Sequence, residues 1–104
     1  RKININKALE LLKKAVELEP SDGYIRDSLG WAYFLSKEFE ESVFHLEKAV
    51  VMLPNDATLN DHLGDAYWMS NRKSEALSQW KKVLILDPEY KTKKVVNEKI
   101  NKGL

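Results

Sequence analysis

The amino-acid sequence predicts an all-α solenoid of antiparallel helix pairs, about six helices in 104 residues. Three observations carry that prediction. Pro20, Pro54 and Pro88 stand 34 residues apart. Other residues fall into register with them: Leu29-Gly30 with Leu63-Gly64, Ala32-Tyr33 with Ala66-Tyr67, Ala8 with Ser42 and Ala76, Leu12 with Leu46 and Trp80, and Ala15 with Ala49 and Val83. Between the prolines, apolar residues recur at steps of three and four, which draws one stripe along a helix. A fixed period of this length marks a unit that cannot bury its apolar face alone and must stack on a neighbour.

The first helix, from about Asn6 to Leu18, carries Ala8, Leu9, Leu12, Ala15 and Val16 on its stripe. Glu19-Pro20-Ser21-Asp22 ends it, because proline disfavours helical geometry in the residue before it. Asp22 is placed to cap the second helix, whose stripe runs through Ile25, Leu29, Ala32, Tyr33 and Ser36. After a break near Lys37-Glu38, the third carries Val43, Leu46, Ala49 and Val50. Pro54-Asn55-Asp56 repeats the turn and cap. A fourth helix then carries Leu59, Leu63, Ala66 and Tyr67, and a fifth Ala76, Leu77, Trp80, Val83 and Leu84. Asp87-Pro88 closes that unit. The sixth helix, Lys91 to about Lys102, has apolar residues only at Val95, Val96 and Ile100, with lysines at 91, 93, 94 and 99. One face serves the last repeat and the rest meets water, as a terminal cap requires. A glycine inside a helix costs roughly 1 kcal/mol relative to alanine. The recurrence of Gly30 as Gly64 therefore predicts a close approach of two helices.

Composition narrows the function. Hydrophobic residues at 43% and charged residues at 32% are the balance of an ordinary globular chain. Lys plus Arg at 17 against Asp plus Glu at 16 leaves a net charge of +1, with no overall pull toward nucleic acid or an anionic membrane. The absence of cysteine excludes a disulfide framework, a thiolate metal site and a Cys nucleophile. No apolar run is long enough to span a bilayer, and no segment has the layout of a signal peptide. The chain opens at Arg1 in mid-repeat, which reads as a piece of a longer protein and leaves the compartment open.

Helix pairs of 34 residues with Leu-Gly, then Ala-Tyr, then Ala, Ala and Pro resemble the tetratricopeptide repeat over nearly the whole chain. The resemblance implies a right-handed solenoid. Residues 1–22 would be the second helix of a partial repeat, 23–56 and 57–90 full repeats, and 91–104 a capping helix. There are departures. Arg26 and Asn60 occupy the column where that family often has Trp, and Lys73 replaces the apolar residue seen at Ile5 and Phe39. Lys37 stands where a turn glycine is usual, and its counterpart Asn71 tolerates left-handed geometry better. A narrower likeness joins Asn60 through Trp68, Gln79-Trp80 and the ending Lys102-Gly103-Leu104 to the C-terminal repeats of certain proteobacterial repeat proteins. Some of those are envelope lipoproteins that scaffold periplasmic machinery. That likeness implies a bacterial source, with the envelope or periplasm as an alternative to the cytoplasm.

In a fold of this kind the first helix of each pair lines the concave face. The resemblance implies that Tyr24, Asp27, Trp31, Phe34 and Leu35 point there, followed by Thr58, Asp61, Asp65, Trp68 and Met69. Helical spacing independently puts Asp27, Trp31 and Phe34 on one face, and Asp61, Asp65 and Trp68 on another, both apart from the packing stripes. The expectation is an aromatic floor of Tyr24, Trp31, Phe34 and Trp68 flanked by three carboxylates. Such a groove suits an apolar peptide or helix carrying Lys or Arg. Phe34 and Trp68 have an alternative role as packing between repeats. The acids would repel the carboxylate tails of chaperones, which some family members hold with Lys, Asn and Arg.

Other candidates carry less. His62 reads as a surface histidine beside Asp61 and Asp65 rather than a zinc ligand, which needs several strong donors converging. His45 stands alone on an outward helix. No serine has a His–acid partnership at recognisable spacing, and no glycine-rich phosphate loop exists. Lys81, Lys82 and the C-terminal lysines are interleaved with Glu89 and Glu98, and read as a solvated cap rather than a nucleic-acid or lipid surface. The sequence therefore points to a non-catalytic protein-interaction scaffold without a cofactor. The alternative is a structural spacer or self-association segment, joined through Ile5, Leu9 and Leu12 exposed on the first helix.

Overall fold

A computed structural model describes residues 4–90 and 92–104. The chain runs through six helices there: α1 (Ile5–Leu18), α2 (Gly23–Leu35), α3 (Phe39–Met52), α4 (Ala57–Met69), α5 (Lys73–Leu86) and α6 (Lys93–Lys102). The predicted start of the last helix at Lys91, and the first three residues of the chain, lie outside the described residues.

Each helix boundary has a local cause. The Asp22 carboxylate accepts hydrogen bonds from the backbone N–H groups of Tyr24 at 2.9 Å and Ile25 at 3.1 Å. Asp56 accepts from Leu59 at 3.1 Å, and Asn4 from Lys7 at 3.1 Å. Each satisfies donors that a helix start leaves without a partner. At the other end of α2, Glu38 N–H donates to the Tyr33 carbonyl at 2.9 Å and Lys37 N–H to that of Phe34 at 3.0 Å. The same pair of bonds closes α4, from Arg72 to Tyr67 and Asn71 to Trp68. Both turns need one residue in the left-handed region. Lys37 and Asn71 supply it, with φ of 65° and 63°.

These tight turns fold α3 back on α2 and α5 back on α4. A Cβ added at Gly30 would lie 2.7 Å from the Leu46 side chain, and one at Gly64 would lie 2.5 Å from Trp80. The recurring glycine is thus the contact point of each pair, as its register predicts. In the first pair the Ser42 hydroxyl donates 2.8 Å to the Gly30 carbonyl across the same contact. The pairs then stack. Val43 and Leu46 of α3 join Leu63, Ala66, Tyr67, Ala76, Trp80 and Val83 in one core, closed by Val96 of α6. Leu9 of α1 packs with Leu29, Ala32 and Tyr33 of α2 in a second.

Two expectations for the terminal helices are corrected. Leu9 is buried against α2, and Ile5 and Leu12 are partly buried there, so these three do not form an exposed strip. The exposed apolar residues of α1 are Leu11 and Leu18 instead. On α6, Val96 is wholly buried and Ile100 packs beside it, but Val95 turns to solvent.

Candidate functional site

Helices α2 and α4 touch, so the expected groove residues stand on neighbouring helices. They divide into residues presented to solvent and residues already engaged within the chain. Tyr24 at 58% exposed, Leu35 at 52% and Met69 at 43% are presented. Between Tyr24 and Leu35 on α2 lies a ring stack. Trp31 sits 4.4 Å from Phe34 and 4.2 Å from His62, with interplanar angles of 6° and 20°. Its indole is thus engaged within the chain by both rings. Phe34 also meets Phe39 edge-on and packs against the core.

The carboxylates are engaged. Asp27 accepts a hydrogen bond from His62 Nδ1 at 2.9 Å, a link between α2 and α4 that sequence spacing could not reveal. Sequence proximity had placed His62 beside Asp61 and Asp65. The fold turns it to the preceding pair instead, where the Trp31 stack fixes the ring.

Asp61 and Asp65 are buried rather than open to a ligand. Lys99 Nζ, on α6, donates to Oδ1 of both at 2.9 Å. Lysine and carboxylate side chains are each only 11–13% exposed. Trp80 Nε1 donates to the same Asp65 oxygen at 3.0 Å. Tyr90 Oη lies 3.3 Å from Thr58 Oγ1 and 3.4 Å from Asp61 Oδ2. Burial is the largest influence on Asp65 and pushes its carboxyl above the ordinary value, against the opposing pull of Lys99. Burial works against the charge of Lys99, but the two acids outweigh it and hold the ammonium above its ordinary 10.5. A lysine from the cap thus occupies the place that the sequence reserved for a basic ligand.

Trp68 is half-buried. It packs against Trp80 at 5.6 Å, lies under the C-terminal turn at Gly103, and has Lys73 Nζ 4.9 Å over its ring. Phe34 and Trp68 therefore both pack within the array.

A second polar system escaped the sequence reading. Arg26 Nη1 donates to His45 Nδ1 at 3.4 Å, and the equivalent column pair one repeat on, Gln79 and Asn60, bonds at 2.8 Å. Asn60 also donates to the carbonyls of Pro54 and Asp56, at 3.1 and 2.8 Å. The signal was present as the column shared by Arg26 and Asn60 and that shared by His45 and Gln79, but it needed both columns to be read together. Alongside, Tyr67 Oη donates to Glu47 at 2.6 Å beneath the Arg72 guanidinium. Burial first, then that bond to an anion, raises the phenol well above its ordinary 10.0.

The chain matches solved structures of tetratricopeptide-repeat domains. The Arabidopsis OM64 TPR domain superposes with a TM-score of 0.85 at 22% identity, covering 96% of this chain and 83% of that one. The N-terminal domain of stress-induced protein-1 (STI-1) from C. elegans gives 0.69 at 29% identity, covering 84% and 74%. MamA from AMB-1 gives 0.75 at 29% identity, covering 80% of this chain and 49% of MamA, so the chain spans about half that protein's length. No protein-family model matches the sequence, and no curated protein matches it. The fold is a tetratricopeptide-repeat array, an all-α solenoid of the kind that serves as a protein-interaction scaffold. No helix among the described residues is long and apolar enough to cross a membrane.

Proposed function

We propose that this chain holds a peptide or helix of a partner protein along the α2 side of the groove. The carrying observation is the pair of exposed side chains, Tyr24 and Leu35, bracketing along α2 the partly buried, stacked rings of Trp31 and Phe34. Rigid aromatic surface beside an exposed leucine gives contact area at low entropic cost. Asp27, Asp61 and Asp65 are each paired inside the chain. Apolar complementarity therefore ranks above a Lys or Arg in choosing the partner, which revises the acidic groove expected from sequence. Met69 adds an exposed apolar side chain at the end of α4. The test is a photo-crosslinking residue placed at Tyr24 and, separately, at the exposed Ile85 of α5. Crosslinking of one discrete partner from position 24 and not from position 85 supports the groove; the reverse pattern sinks it.

Self-association through α1 is a second reading with its own observation. Ser42 and Ala76, Leu46 and Trp80, and Ala49 and Val83 are fully buried, whereas their α1 counterparts Ala8, Leu12 and Ala15 are only partly so. Exposed Leu11 and Leu18 flank that half-open face. A mass that rises with concentration and returns to monomer in Leu11→Glu/Leu18→Glu supports this reading. A strict monomer at millimolar concentration removes it.

A further inference from the structure

Arg26 of α2 and Phe44, Glu47, Lys48, Val51 and Met52 of α3 line an open cavity of about 380 Å³. Its apolar wall is not a packing surface of the array. Phe44 is 52% exposed and Val51 80% exposed, although each is large and apolar.

The polar part is unbalanced. Among the described residues no carboxylate pairs with Arg26, and its Nε is buried without any hydrogen-bond partner. The one acid on the cavity wall, Glu47, is drawn to the far side by the Tyr67 hydroxyl at 2.6 Å and Arg72 at 3.6 Å. Lys48 lies over the Phe44 ring at 4.9 Å, and among the described residues the only side chain that Arg26 bonds is a histidine. His45 feels Arg26, Lys48 and Lys13 together, each opposing its protonation, so the local field is positive. The next repeat supplies the contrast. Asn60 stands in the Arg26 column, wholly buried, with its amide bonded to Pro54, Asp56 and Gln79. One repeat satisfies this position internally. The other leaves Arg26 Nε without an acceptor beside exposed apolar side chains, and a buried donor without a partner is costly enough to favour an acceptor there.

We propose that this cavity is a binding site for an acidic, apolar segment of a partner protein: an Asp or Glu on Arg26, with a Leu-type residue one helical turn away against Phe44, Val51 and Met52. A guanidinium matches a carboxylate in two parallel bonds, and Lys48 adds a second cation at the rim. The cavity lies within the size range of ligand pockets. A single partly buried guanidinium beside exposed apolar side chains fits one carboxylate with an apolar neighbour. A polyanion would call for a row of cations along an open surface.

The experiment is an NMR titration of the labelled chain with a capped alanine-based peptide carrying one leucine and one glutamate a helical turn apart. The same peptide with glutamine in place of glutamate is the control. The glutamate peptide is expected to shift the Arg26 Nε–H and Val51 methyl resonances, and the glutamine peptide to bind about tenfold more weakly or worse. Arg26→Gln and Val51→Ser each reproduce that loss. If Arg26→Gln fails to fold, the glutamate-to-glutamine comparison on the unaltered chain decides alone. Equal binding of the two peptides, no shift up to millimolar peptide, or shifts centred on Tyr24 and Leu35 would overturn the proposal. Stronger perturbation of Arg26 by a short oligonucleotide than by the peptide would overturn it too, in favour of a polyanion site.

Discussion

At His45, burial and then the charges of Arg26, Lys48 and Lys13 lower the imidazole pKa from 6.5 to about 4. The unfolded chain takes up a proton in that window and the folded chain does not. The contribution is therefore complete above pH 6.5 and lost as the pH falls toward 4. Urea unfolding should show a fall in stability between pH 7.5 and 5 that His45→Gln largely removes; an identical slope in the variant would contradict this. Lys37 carries a different strain. Its side chain is exposed and its φ is 65°, so its backbone bears a left-handed cost without a compensating contact. Lys37→Gly should stabilise the chain by about 0.5–1 kcal/mol, after the glycine's greater freedom in the unfolded state is deducted, seen as a rise in the urea midpoint. This residue was legible from the sequence, as a lysine standing where the turn requires φ above zero. The partners of Asp61 and Asp65 were not, because Lys99 sits in a lysine-rich helix that reads as a solvated surface.

The decisive element is α6. Val96 fills the core edge, Lys99 bridges two buried acids, and Gly103, with φ of 79°, brings the chain against Trp68. Lys99→Met leaves those acids without their cation and should cost about 2–3 kcal/mol, because removal of one partner strands the other in a poorly hydrated site. Replacing Asp61 and Asp65 by Asn in the same chain should recover part of the loss. Since the folded pKa of Lys99 is raised, its contribution is complete below pH 10.5 and disappears as the pH climbs through the raised value. Within the pairs, Gly64→Leu must displace the fully buried Trp80 and should lower stability by about 1–3 kcal/mol, read by thermal unfolding. An unchanged midpoint would refute the close-packing role of the glycine column. Periodicity made these contacts readable because Gly30 with Leu46 and Gly64 with Trp80 recur in register. What α6 does to α4 belongs to a single pair of helices, so no repetition announced it.

For the whole molecule, the solenoid and its order of helices were legible from spacing alone. The distribution of charge over its two sides was not. Spacing assigns a side chain to a face; it does not say which partner from another helix reaches that face first. That is why Asp27, Asp61 and Asp65, expected to face a ligand, are paired within the chain, and why Arg26 is left without a carboxylate partner among the described residues. The most direct measurement of the central claim is the affinity of the partner crosslinked at position 24 for two variants with exposed substitutions. Tyr24→Ser/Leu35→Ser should weaken binding at least about tenfold, a size ordinary for loss of interface anchors, while Leu11→Glu/Leu18→Glu leaves it unchanged. Full affinity in the first variant would contradict the groove, and loss only in the second would place the interaction at α1.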